Sequence, residues 1–187
     1  SQGELNQPGA QAFAEAKSKG PLSTDAKQNS YVRCVVDALV AQLPAEQRTI
    51  AWETAVFAEK EPNAYALPGG KVGVNTGIFT VAKTQDQLAA VLAHEIGHVV
   101  ENHHDERITR QMGASGMVQL LGALAGNYGD LATQGGSMFA QAGFLLPGSR
   151  TQESEADVVG QRMMASAGFD PTAAVALWQN MVAAGGR

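Results

Sequence analysis

One run of thirteen residues, Leu88-Ala-Ala-Val-Leu-Ala-His94-Glu95-Ile96-Gly97-His98-Val-Val100, limits what this chain can fold into. Read at 3.6 residues per turn it is apolar almost all the way round, the mark of a helix buried on every side. His94 and His98 lie one turn apart on it, so their rings can converge on one point. Glu95 sits about 100° round from His94 and borders the same space. Two imidazoles and a carboxylate inside an apolar helix each cost kilocalories unless partnered. A metal ion supplies such partners, and HExxH is a short motif for zinc binding with the glutamate as base. The competing reading is a pair of hydrogen-bonded core histidines; the buried context favours the metal.

A catalytic zinc site takes three protein ligands and keeps a fourth position open. The one cysteine, Cys34, is remote in sequence, and no histidine follows His104. Two candidates for the third ligand remain. His104 would complete an HExxHxxGxxH pattern, with Met138 as its Met-turn. However, Glu101 stands where that pattern has its glycine. On an unbroken helix continuing through VVENHH, His104 would face away from His94 and His98. The second candidate is a carboxylate in the downstream run SRTQESEAD. Glu153 and Asp157 are four apart and share a helix face, so one can take a metal while the other orients a ligating histidine. Glu155 falls about 200° from Glu153 and is expected in solvent. The spacing favours Glu153.

Composition excludes several classes. A chain of 187 residues fits one domain, and its size suffices for a core without disulfides. Thirteen basic residues against eighteen acidic ones give a net charge of −5, and no Lys/Arg cluster offers a phosphate-binding surface, so no nucleic-acid partner is expected. A single cysteine rules out an intramolecular disulfide and a cysteine zinc finger. It lies beside an apolar stripe and is expected to be a part-buried thiol. The opening SQGELNQPGA reads as no signal peptide. Two uncharged stretches, 111–129 and 131–149, approach membrane-spanning length but carry Gln119, Asn127, Gln134 and Gln141. Packed Gly/Ala-rich helices are expected there, with a mobile cover over the cleft as the alternative for 112–148.

Elsewhere the pattern is readable. A polar segment, 1–23, holds one short helix near Ala10 to Lys17. An amphipathic helix runs from Asp25 to Leu43, with Val32, Val35, Val36, Leu39, Val40 and Leu43 as its apolar face. Thr49 to Ala58 reads as a strand; two shorter ones, 65–67 and 71–75, flank the turn Pro68-Gly69-Gly70. The 71–75 strand is expected at a sheet edge, where an extended substrate could add. Capping boxes at Thr84/Gln87 and Ser149/Gln152 open helices over 84–107 and 149–168. A last helix starts at Asp170-Pro171 and stops at Gly185-Gly186. The expected fold is α+β, a predominantly helical single domain over 1–187 with about three strands before the HExxH helix.

Four stretches occur in a telling order: NAYALPGG (Asn63 to Gly70), VNTG with Asn75, HEIGH, and SRTQESEAD. From Gln47 to Asp170 their order and spacing resemble peptidase family M48, the gluzincins that include the CaaX prenyl protease, HtpX-type membrane proteases and bacterial envelope quality-control proteases. That resemblance implies one Zn2+ held by His94, His98 and Glu153, Glu95 as general base, and Asp157 orienting a ligating histidine. It implies a zinc metalloendopeptidase acting on misfolded or membrane-associated polypeptides, with membrane-surface association. It also implies a place in the bacterial periplasm or cell envelope, with a lipid anchor ahead of Ser1. Two departures stand out: no histidine follows the ExxxD helix, and the TPR repeats of certain relatives are missing. Set beside this reading are a metzincin-like protease using His104, and a proteolytically silent zinc-containing chaperone. An intact Glu95 speaks against silence, because structural zinc needs no base.

Overall fold

The apolar residues of the central sheet alternate between two helical layers, and that alternation organises the molecule. The computed structural model describes residues 5–101 and 149–185. Within them lie α1 (Asn6–Lys19), α2 (Ala26–Val40), α3 (Ala45–Arg48), β1 (Glu53–Phe57), β2 (Ala64–Leu67), β3 (Lys71–Asn75), a 3-10 turn (Thr76–Thr80), α4 (Gln85–Val100), α5 (Ser149–Ser166) and α6 (Ala173–Gly185). The architecture is α+β and predominantly helical, with one small mixed sheet.

Val56, Ala64, Ala66, Val72 and Val74 join the main core with α2, α4, α5 and α6. Ala55, Phe57, Tyr65 and Leu67 turn to the opposite face and pack on Leu5, Ala12, Phe13 and Ala16. Period-two side chains on a sheet covered on both faces explain why these strands read as nearly continuous apolar runs. Each fully buried Val or Leu contributes roughly 1.5–3 kcal/mol through area removed from water.

The strand order is β1-β3-β2. β3 pairs parallel with β1 and antiparallel with β2, so it is the central strand. The expectation that 71–75 forms a sheet edge is therefore overturned. The tight turn after β2 folds β3 back against it, and the longer connection from β1 lets that strand take β3's other side. Gly69 and Gly70 permit the turn with φ of +89° and +77°, values that side chains rarely tolerate. The Gly70 amide donates to the Leu67 carbonyl across it.

Several boundaries differ from the sequence expectation. Strand β1 starts at Glu53 rather than Thr49, because residues 49–52 fold back on α3: the Thr49 hydroxyl donates to the Ala45 carbonyl and the Trp52 indole to that of Gln47. Cys34 is exposed, on the solvent side of α2. Asp25 caps α2 by accepting from the amides of Lys27 and Gln28. On α4, the Thr84 hydroxyl accepts from the Gln87 amide, but the Gln87 side chain reaches back to Lys83 instead of closing the box on Thr84.

Helix α4 stops at Val100 with Glu101 as its cap residue, short of the expected 107. Met138, His103, His104 and the two uncharged stretches (131–149 except its last residue) lie outside the described residues, as does the capping of α5. α5 ends in a Schellman motif: the Gly168 amide, at φ +90°, donates to Ala165 and that of Phe169 to Met164. Asp170 accepts from the amide and hydroxyl of Thr172, and this local turn delays the start of α6 to Ala173. No helix among the described residues is long and apolar enough to cross a membrane.

Candidate metal centre

Residues Leu88 to His98 of α4 are all buried, as the all-round apolar pattern requires. Helix α5 crosses α4 at backbone contact distance, and two glycines allow it. A Cβ on Gly97 would lie 2.9 Å from the Ala156 carbonyl oxygen. A Cβ on Gly160 would lie 3.1 Å from the Ala93 carbonyl and 3.2 Å from the His94 amide nitrogen. With no side chain to hold the helices apart, short carboxylates on α5 reach the imidazoles on α4.

That crossing brings three predicted residues together. Glu153 Oε2 stands 2.7 Å from His94 Nε2, and its Oε1 is 2.9 Å from His98 Nε2. The two rings meet edge to face, with centroids 4.9 Å apart. His94, His98 and Glu153 each offer one ligand atom, all within 4.8 Å of one another, and form a group that could hold a metal ion. Asp157, one turn further along α5, places Oδ1 2.7 Å from His94 Nδ1. Glu95 is buried beside them at 8% exposure. Glu155 points out and is exposed.

The electrostatics follow from this packing. Burial disfavours charge on His94, but the hydrogen bonds to Asp157 and Glu153, with the nearby charge of Glu95, push its pKa up to about 10. Burial also works against the Glu153 carboxylate, yet its contacts with His94 and His98 hold it well below the usual carboxylate range. Each ring nitrogen of His94 faces a carboxylate, so a metal taking Nε2 must displace a proton there. The donor set, two imidazole nitrogens and one carboxylate oxygen, fits zinc.

A family model described as peptidase family M48 matches residues 26–185. The chain belongs to that peptidase family. Its relatives include the mitochondrial metalloendopeptidase OMA1 of Schizosaccharomyces pombe, 41% identical over 157 residues, which cover 84% of this chain and 45% of the relative. OMA1 of Arabidopsis thaliana is 35% identical over 137 residues, 73% of this chain and 27% of the relative. The β-barrel assembly-enhancing protease of Escherichia coli is 27% identical over 179 residues, 91% of this chain and 36% of the relative. The chain thus spans from about a quarter to under half of the length of these relatives.

Membership of a metallopeptidase family implies a metal and polypeptide substrates. The expected bacterial periplasm or envelope location does not stand. The more similar of these relatives are named as mitochondrial, while the bacterial protease matches at lower identity. Family membership by itself does not report a compartment, because relatives in the same comparison are named as mitochondrial and as bacterial.

Two features escaped the sequence reading. The close approach of α4 and α5 at Gly97 and Gly160 could have been suspected, since each glycine sits on the face of its helix that carries site residues. The other is Trp178 on α6, whose ring meets His94 at 88° with centroids 6.2 Å apart. No motif links those two positions, which are far apart in the chain.

Proposed function

We propose that the chain is the catalytic part of a zinc metalloendopeptidase, with His94, His98 and Glu153 as zinc ligands and Glu95 as general base. The observation that carries this reading is the meeting of three ligand atoms, from two buried histidines of α4 and the part-buried Glu153 of α5, next to a further buried carboxylate on α4. Zinc held there would supply Lewis acidity toward water and a peptide carbonyl.

The protein's own residues do the rest. Glu95 accepts the proton of the attacking water and hands it to the leaving amine, a role worth about 10²–10⁴-fold in rate. Asp157 accepts a hydrogen bond from Nδ1–H of His94, which fixes the tautomer and leaves Nε2 for the metal. Burial of His94, Glu95 and His98 on α4 lowers the local dielectric and strengthens these contacts. Substrates in this reading are misfolded or membrane-associated polypeptides in a protein quality-control role; the relatives' names support peptide-bond cleavage and, for the bacterial one, a link to β-barrel assembly.

The test is metal removal. Purified protein should hold about one zinc per chain, and a chelator should abolish casein cleavage that added zinc restores. Cleavage indifferent to chelators would overturn the proposal. A metal-loaded protein that holds unfolded polypeptides without cutting them would favour a binding module instead.

A further inference from the structure

We infer that Trp178 is a positioning residue of the metal centre, holding the His94 ring and sheltering its hydrogen bond to Asp157. The inference rests on the reading of His94 as a metal ligand.

Among the described residues, several groups meet the His94 ring. Asp157 holds Nδ1, Glu153 faces Nε2, and His98 stands edge-on at 4.9 Å. Behind this cluster lies a cavity of about 180 Å³, bordered by His94 and Asp157 together with Val91, Met164, Leu177 and Trp178. Neither Glu95, His98 nor Glu153 lines it, so the cavity lies on the Nδ1 side of the ring, away from the catalytic base. Its wall there is largely apolar. Asp157 is itself about half exposed, so water can approach the carboxylate that orients His94.

Trp178 stands at that point. It is 37% exposed, high for a tryptophan, while its α6 neighbours Leu177 and Met181 are buried in the core and anchor the helix. Its ring meets His94 nearly perpendicularly, an edge-to-face arrangement favoured by the aromatic quadrupole. Removing the indole would join its volume to the existing cavity. Water would then reach the Nδ1 side of the ring and compete with His94 for Asp157. A ligand free to rotate binds its metal less tightly, because the ordering must be paid on binding.

The test compares Trp178→Ala and Trp178→Phe with the parent by chelator-competition measurement of zinc affinity, well below the thermal transition. Trp178→Ala should bind zinc about tenfold more weakly, at the lower end of the 10–100-fold range for partners of metal-ligating histidines. Trp178→Phe, which keeps an aromatic edge, should recover part of the loss. Casein turnover by Trp178→Ala should fall at limiting zinc and return at saturating zinc with KM unchanged. A folded Trp178→Ala protein with parental zinc affinity overturns the inference. So does a rate deficit that saturating zinc does not repair. If Trp178→Ala does not fold, a second measurement decides. The chain has two tryptophans, so in Trp52→Phe protein Trp178 is the sole tryptophan and can be excited selectively over tyrosine. Its fluorescence should then change as zinc is added, and emission indifferent to zinc in protein that binds it overturns the inference. Protein in which even the parent binds no zinc would instead sink the metal reading of the site.

Discussion

Gly97 on α4 and Ala156 on α5 approach so closely that a single added methyl would stand 2.9 Å from the Ala156 carbonyl oxygen. The contact sits between His94 and His98 in sequence on one helix, and between Glu153 and Asp157 on the other. Whatever separates these backbones also separates the carboxylates from the imidazoles. Gly97→Ala should therefore do two things at once. It should cost about 1–3 kcal/mol through overpacking, read as a lowered melting temperature. It should also weaken zinc binding, read by chelator competition on the folded fraction. A variant less stable but unchanged in zinc affinity would show that the crossing does not set the ligand geometry.

Glu95→Gln should separate binding from chemistry. Its side chain keeps the parent's shape and is not among the three residues grouped as ligands. Zinc content should stay near one per chain, while casein turnover falls by at least about 10²-fold. Parental turnover in this variant would assign the cleavage to another site or a contaminant.

Glu153→Ala and His104→Ala test the third ligand. Glu153 contacts both histidines, so its loss should weaken zinc severely and abolish turnover. His104→Ala should change little. Because α4 ends at Val100, helix geometry does not aim His104 away from the site; the contacts of Glu153 with both histidines favour Glu153. Zinc retained in Glu153→Ala and lost in His104→Ala would reverse the assignment.

Asp157→Asn should fall between these extremes, with a loss of about 10–100-fold in zinc affinity or activity. An amide can still offer an oxygen to Nδ1, but without the charge that raises the ligand's basicity. Equal damage from Asp157→Asn and Glu153→Ala would make Asp157 a ligand in its own right.

Acid sensitivity should include a small contribution from the far side of the sheet. The hydrogen bond from Lys17 lowers the Glu53 pKa below its ordinary 4.5, against a smaller opposing effect of burial and with help from Lys71. A carboxyl depressed by folding stabilises the protein above its unfolded pKa, and the benefit disappears as pH falls through the folded value. Glu53→Gln should therefore be less stable than the parent at neutral pH, by under about 1 kcal/mol because the side chain is 43% exposed. The difference should close in acid. Denaturant melts at both pH values would read it; a gap that widens on acidification contradicts the assignment.

Much of the molecule was legible in local pattern. The all-round apolar run from Leu88 to Val100 could only be a buried helix, and buried imidazoles at four-residue spacing demand partners. The turn at Gly69-Gly70 and the stop at Gly168 are written in residues that alone tolerate positive φ. Glu153 and Asp157 announced a shared face by the same helical arithmetic. What local pattern could not carry is which elements meet. β3 became the central strand because β1 pairs with it in parallel, a contact made across intervening chain that periodicity does not see. Trp178 met His94, and Gly97 met Ala156, because packing of α4, α5 and α6 on one core brought distant segments to van der Waals distance. Residue type and spacing determined the chemistry this chain can hold; helix-on-helix packing, which depends on the volume left between side chains from remote parts of the sequence, decided how those groups are aimed.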